Sequence, residues 1–327
     1  MTSWANVVID ASQFPEKVRC DLLESLRTRR VNHKFHYDSV KQTQKWLALH
    51  QAHAPSRNDP DCATIYDRSF EVASNNLDDK RVQVVGLGCG GGQKDTRLLN
   101  HLCKAGKEVF YTPCDVSTAM VLVARQAALS VLPEQNCFPL VCDLATAKDL
   151  AAAFDRLAVP TASRIVTFFG MIPNFEPQVI LPKLASLVRA DDHLLFSANL
   201  APGSDYAAGM QKILSQYDNP LTRDWLMTLL LDLGVEQDDG ELHFLIEQGE
   251  NNLMRVVARF RFNRNCQIQI DSEEMTFGPC ESIQLFFSYR YTHNRVQQVL
   301  GAHGLEVRQK WITKTQEEGV FLCRKDR

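Results

Sequence analysis

The chain has 327 residues, 45% of them hydrophobic and 23% charged, which is ordinary globular composition and enough length for one large domain or two smaller ones. Its net charge of -3 announces no basic face for nucleic acid or an anionic membrane, and no apolar run approaches the roughly 18 residues of a membrane span. Residues 1–20, broken by Pro15, have neither the basic start nor the apolar core of a secretory signal, so a cytoplasmic location is expected.

Residues 1–58 read as mostly helical and polar. Within them "HKFH" (His33, His36) and "HQAH" (His50, His53) could each set two imidazoles on one helix face, but no third ligand accompanies them, so no metal site is expected. From 82 to 199 strand and helix signals alternate. "VQVVGLG", "EVFYTPCD", "CFPLVCDL", "RIVTFFG" and "DHLLFSANL" read as strands. Between them run helical patterns, one opened by a Ser117 cap. Repeated β-then-α units predict a doubly wound, Rossmann-like parallel sheet with helices on both faces, whose ligands bind at the carboxyl ends of the strands. Residues 200–250 read as helix-rich. "NLMRVVARFRF", "NCQIQIDS" and "SIQLFFSYRYT" then suggest an antiparallel meander. The last stretch reads as helix, strand, turn, strand and could complete the first sheet. Ten cysteines occur without any CxxC pair, a pattern of buried small hydrophobes rather than of disulfides or zinc.

The stretch "VQVVGLGCGGGQKDTRLL", Val82 to Leu99, carries the chemistry. Five glycines fall within residues 86–92, between a strand and a helix. A phosphate-cradling loop needs Gly-Lys-Ser/Thr at the helix start, and Gly92-Gln93-Lys94-Asp95 breaks that order. Gly86, Gly88 and Gly91 formally fit a dinucleotide fingerprint with Asp115 ending the next strand, so a nicotinamide oxidoreductase is one alternative. A ligand-free tight turn is another. S-adenosylmethionine carries ribose hydroxyls and an adenine amine but no phosphate. Asp115 in "TPCDVS" and Asp143 in "VCDLAT" both fall where strands end, and the second acid favours that donor. Both could equally serve as helix caps. Gly170 and Asn174 in "FFGMIPNFEP" fall where a substrate would meet the donor, and an Asn side chain can both donate and accept. A buried structural asparagine fits the same pattern.

These segments resemble the histidine Nα-methyltransferases of ergothioneine biosynthesis. "LGCGGGQKDTRLL", "YTPCDVS", "CDL" and "FFGMIPNFEP" are similar to that family's donor-site segments. "FHYDS" with "APSRND", "QYDN" with Thr222, and "SYRYTHNRVQQVLGAHGLEV" are similar to its outer ones, so the resemblance runs from about residue 20 to the end. It implies an α/β class I methyltransferase fold with a second, α+β substrate domain. The expected division is 59–199 with 289–327 for the donor, and 1–58 with 200–288 for the substrate. By matching position the donor would be held by Gly88, Lys94, Asp115, Asp143 and Gly170. Lys94 could otherwise be an ordinary solvated helix residue. Asn174 and Tyr217 would orient the amino-acid backbone and serve catalysis. Tyr37, His53, Thr222, Met254, Phe286 and Ser288 would complete the substrate site.

Two departures bear on substrate. Phe286-Phe287-Ser288 stands where the histidine enzymes have Glu-x-Ser, and His53-Ala54-Pro55-Ser56-Arg57 where they have Tyr-Tyr-Pro-Thr-Arg. The Glu belongs to the pocket that receives the imidazole, and Phe286 offers no partner for a ring N–H. Phe286 could alternatively be a core residue. The expected protein is an S-adenosylmethionine-dependent N-methyltransferase for the α-amine of an amino acid or similar small molecule, not histidine. Its partner would be that small molecule, with no nucleic acid or membrane, and the chain would act as a monomer. The alternatives are a methyltransferase for a different metabolite, a donor-binding regulator, and the oxidoreductase.

Overall fold

The computed structural model describes residues 5–326. In chain order its strands are β1 (Val8–Ile9), β2 (Arg81–Leu87), β3 (Glu108–Asp115), β4 (Leu140–Val141), β5 (Ser163–Phe169), β6 (His193–Asn199), β7 (Gly240–Gln248), β8 (Met254–Phe262), β9 (Cys266–Ile270), β10 (Glu273–Phe277), β11 (Ser282–Arg290), β12 (Leu305–Ile312) and β13 (Glu318–Lys325). The chain forms two compact units. One takes in the residues up to Phe14, Pro55–Leu200 and the residues from Tyr291 onward; the other is Pro15–Ala54 with Ala201–Arg290.

The first unit is built on an eight-stranded sheet in the order β1-β4-β3-β2-β5-β6-β13-β12. The strands from β1 to β6 pair in parallel, and β13 and β12 close the sheet antiparallel beside β6. β2, β3 and β5 are buried along nearly their whole length, which is why they read as continuous apolar runs. The helix Pro60–Asn75 buries Cys62, Ile65, Tyr66, Ser69, Phe70 and Ala73, and the helix Gln93–Lys104 buries Leu98, Leu99 and Leu102. These stripes recur every three to four residues and pack with the strand residues into one core. From β2 the chain winds first to β3 and β4 on one side, then returns to β5 and β6 on the other. The order therefore reverses between β2 and β5, and the crevice for a ligand lies at their carboxyl ends.

Residues 5–14, expected from the sequence in one domain with 200–288, belong instead to the first unit. The reason is pairing: Val8 and Ile9 lie in parallel register with Leu140 and Val141 at the edge of that sheet. Pro55–Asn58 likewise falls in the first unit, and Tyr289 and Arg290 fall in the second. Residues 1–4 and 327 of the expected domains lie outside the described residues.

The second unit packs the helices Pro15–Arg27, Val40–His53, Tyr206–Tyr217 and Pro220–Asp232 with a three-stranded antiparallel sheet, β11-β8-β7, and the hairpin β9-β10. A capping box at Ser39 and Gln42 opens the helix Val40–His53. β7 lies inside the 200–250 stretch read from the sequence as helix-rich. Only Leu242 of its nine residues is buried, so its apolar signal is weak and its strand character comes from pairing with β8. All ten cysteines are free thiols.

Candidate active site

β2 delivers the chain into the glycine turn at the switch point. Gly88, Gly90 and Gly92 have φ of +62°, +50° and +72°, a backbone region that strains other residues. Space adds a second constraint. A Cβ at Gly88 would run into the Met171 side chain just beyond β5, and one at Gly92 would lie 2.7 Å from Ala124 Cα. A Cβ at Gly86 would meet the carboxylate of Asp95. That carboxylate is buried beneath the turn and accepts from the Tyr111 hydroxyl at 2.7 Å and from Thr167 Oγ1 at 2.8 Å; burial raises its pKa.

Asp115 ends β3 and is 8% exposed. Its Oδ2 accepts from the Gly90 N–H at 3.0 Å and its Oδ1 from the Ser117 N–H at 3.1 Å, so it ties the strand end to the glycine turn. Burial raises its pKa, and the backbone donors at Ser117, Gly90 and Val116 pull the other way. Asp143 follows β4 and accepts from the N–H groups of Ala145 and Thr146. Neither aspartate caps a helix. Ser117 caps Thr118–Ala128, as its sequence position suggests, and Asp149 caps Leu150–Asp155. The backbone N–H of Asp143 donates to Ser12 Oγ at 3.0 Å, so the edge segment carrying β1 also braces this loop. A bare backbone turn bonded to the buried Asp115 carboxylate, with a second buried carboxylate just beyond the adjacent strand β4, disfavours a pyrophosphate. It fits a phosphate-free donor that bears hydroxyls and amines.

Lys94 lies in the first turn of the helix after the glycines, and it is not a solvated helix residue. Its ammonium donates to the Tyr66 hydroxyl at 2.7 Å and sits 4.4 Å from the centre of the Tyr66 ring. Gly170 follows β5 with φ of +67°, and its N–H donates to Ser197 Oγ at 2.9 Å. Asn174 ends a short 3-10 turn, Ile172–Asn174, four residues further on.

In the second unit the strand β11 organises the expected substrate residues. Its pairing with β8 shifts between Gln284 and Phe286, a bulge at Leu285. Beyond it Phe286, Ser288 and Arg290 share one face by the two-residue period. Tyr217, the last residue of its helix, lies along that face. Its hydroxyl donates to Ser288 Oγ at 2.8 Å and accepts from Arg290 Nε at 2.9 Å, and its ring centre is 6.2 Å from that of Phe286. Phe286 is 7% exposed and also meets the rings of Trp225 and His33. Tyr37 touches the same cluster through Trp225. The His36 ring contacts Leu285 O at 2.6 Å and His33 Nε2 accepts from the Phe287 N–H, so both histidines of "HKFH" bracket the bulge. Burial holds their pKa values down, to about 3 for His33 and about 4 for His36.

The other expected residues stand apart from that ladder or at its end. Met254 begins β8 and pairs with Arg290 in register. Thr222 is buried at the start of the helix Pro220–Asp232, bonded to the Asn219 cap. His53 is exposed at the end of its helix. Arg290, Trp225, Asp95, Tyr66 and Glu318 were not singled out from the sequence. Only Arg290 left a signal, its two-residue spacing from Ser288 and Phe286. Among the described residues no cluster of three or more His, Cys, Asp or Glu could hold a metal.

The chain belongs to the histidine-specific, S-adenosylmethionine-dependent methyltransferase family, whose model matches residues 21–325. It is therefore an S-adenosylmethionine-dependent methyltransferase of the class I, doubly wound type. No match is found among the curated proteins. Among solved structures the chain is similar to magnesium protoporphyrin IX methyltransferase from Synechocystis PCC 6803 with bound SAH, at 16% identity and TM-score 0.42, covering 93% of this chain and 94% of that one. It is also similar to the 1,6-didemethyltoxoflavin-N1-methyltransferase of Burkholderia thailandensis, at 12% identity and TM-score 0.41, covering 87% and 91%. No helix of the described residues is long and apolar enough to cross a membrane.

Proposed function

We propose that the enzyme methylates the α-amine of an amino acid, or of a close derivative, whose side chain is aromatic or apolar rather than the imidazole of histidine. The supporting observation is Phe286. The face of β11 beside Tyr217 carries a phenyl ring among Tyr217, Trp225 and His33, where an enzyme that holds an imidazole N–H would need an acceptor. A histidine ring facing this wall would lose a hydrogen bond, at about 1–3 kcal/mol if nothing replaces it. An aromatic side chain would gain about 0.5–1.5 kcal/mol from ring contacts beyond its area burial.

S-adenosylmethionine supplies an electrophilic methyl carbon on a sulfonium. The protein's contribution is to bind, desolvate and align. Proximity alone can supply about 7–11 kcal/mol in favourable cases. The acceptor must present a free amine, since an ammonium has no lone pair. In this reading Asn174 and Tyr217 are the groups that orient it. The Tyr217 hydroxyl is itself oriented, because Arg290 donates to it and Ser288 accepts from it. Asp115 and Asp143 accept from the donor's hydroxyls and amine.

Competition among histidine, tryptophan, tyrosine and phenylalanine on one enzyme sample, read by mass spectrometry, tests the proposal. An aromatic amino acid is expected to have the highest specificity constant, by one to three orders of magnitude over histidine, from about 1.4 kcal/mol per factor of ten. If histidine leads, the Phe286 ring does not face the acceptor's side chain and the proposal is wrong. If no amino acid is methylated, the acceptor is another amine.

A further inference from the structure

Behind the glycine turn lies a polar cluster that no backbone motif requires. Tyr66, on the helix Pro60–Asn75, is fully buried, and its hydroxyl meets three groups. Lys94 Nζ is 2.7 Å away, Ser197 Oγ is 2.8 Å away, and the carboxylate of Glu318 is in close contact. Glu318 begins β13, is 5% exposed, and faces Lys94 Nζ at 3.4 Å. Burial and the neighbouring Glu318 raise the Tyr66 pKa well above its ordinary value, so it stays a neutral phenol.

Proton counting gives these bonds a direction. A carboxylate only accepts, so the single Tyr66 proton goes to Glu318. The two lone pairs of the Tyr66 oxygen then accept from Lys94 and from the Ser197 hydroxyl. Ser197 Oγ in turn accepts from the Gly170 N–H at 2.9 Å. One buried phenol thus links the first turn after the glycines, the loop after β5, and the C-terminal hairpin. Of the three ammonium protons of Lys94, Tyr66 takes one and Glu318 faces a second, which leaves one for a ligand. The hairpin end is itself anchored: the Lys314 N–H donates to Asp61 at 2.6 Å, and the Glu318 N–H donates to Thr313 Oγ1 at 3.2 Å.

We propose that Tyr66 and Glu318 are positioning residues that hold Lys94 and the Gly170 loop for the amino-acid end of S-adenosylmethionine. That end bears the donor's only carboxylate, the charge a lysine ammonium complements. The inference concerns the donor alone and does not depend on which amine is methylated.

Calorimetry with two ligands tests it. S-adenosylhomocysteine carries the amino-acid end, and 5′-methylthioadenosine lacks it. Tyr66→Phe, Glu318→Gln and Lys94→Met should each weaken S-adenosylhomocysteine about tenfold or more while changing 5′-methylthioadenosine by less than about threefold. Tyr66→Phe added to Lys94→Met should cost little beyond Lys94→Met alone, because both remove one unit. Parallel loss of both ligands would make the cluster merely structural and overturn the proposal, as would unchanged binding of S-adenosylhomocysteine.

Discussion

Asp115 has a structural role, tying the end of β3 to the glycine turn, and a proposed role in binding the donor. Its carboxylate is buried against the glycine turn and accepts from backbone N–H groups of that turn and of the strand end, yet burial still raises its pKa. A carboxyl that ionises with difficulty protonates early on acidification. Donor affinity should therefore fall, as pH drops, before a solvent-exposed aspartate would protonate. Asp115→Asn should weaken the donor at least about tenfold, from lost charge-assisted hydrogen bonds, and should remove that acid limb. Calorimetry across pH checks both; unchanged affinity would end the donor role. Phe286 is the opposite kind of residue. Its side chain lies in the core of the second unit as well as on the face beside Tyr217. Phe286→Ala should thus cost about 3–5 kcal/mol of stability besides altering selectivity, measurable by denaturant unfolding.

At the scale of the element, the glycine turn separates conformation from crowding. Gly92 and Gly106 both have positive φ, but only Gly92 has a neighbour, the Ala124 backbone, in the space a Cβ would fill. Each alanine substitution should cost about 1–2 kcal/mol for the left-handed backbone. Gly92→Ala should cost about 1–3 kcal/mol more for overpacking and should weaken the donor, because the turn must shift. Equal losses at both positions, by thermal unfolding, would show that the crowding relaxes freely. The bulge at Leu285 is a second such device. It puts Leu285 and Phe286 both in the interior, where strict alternation would send one of them out.

For the whole molecule, the chain leaves the first unit after Leu200 and returns at Tyr291. The last two strands of the sheet are therefore made only after the whole of the second unit has been synthesised. Truncation after Arg290 would strip β13 from β6 and remove Glu318 from Tyr66 and Lys94. The product should be aggregation-prone, as an unpaired central edge predicts, which a solubility and light-scattering comparison checks. Acid stability is also a property of the whole chain. His33, His36 and His193 have pKa values lowered by burial to about 3, 4 and 4. Unfolded histidines bind protons from about pH 6.5 downward, and these three stay neutral in the fold until about pH 4. Stability is then fully present above about pH 6.5 and is lost as pH falls toward 4, by up to about 1.4 kcal/mol per pH unit for each fully buried ring. Unfolding midpoints between pH 7 and 4.5 should decline, and the imidazole signals of His36 should not titrate above pH 5.

The alternation of 82–199 was legible because parallel strands covered on both faces are apolar throughout, and because glycine and aspartate at strand ends carry local constraints that few other residues satisfy. Gly88, Asp115 and Ser117 could be read in this way from sequence alone. β1 could not: two residues make a strand only when Leu140 and Val141 lie beside them. β7 was missed because its identity rests on hydrogen bonds to β8 rather than on its own hydrophobic pattern. The cluster of Tyr66, Lys94, Ser197 and Glu318 spans 252 positions of sequence from Tyr66 to Glu318, and only the folded sheet brings its members together. Local chemistry, which turn, which strand end and which cap, is written in short windows of residues. Partners are not, because hydrogen bonds and packing between distant segments depend on where the sheet sets them.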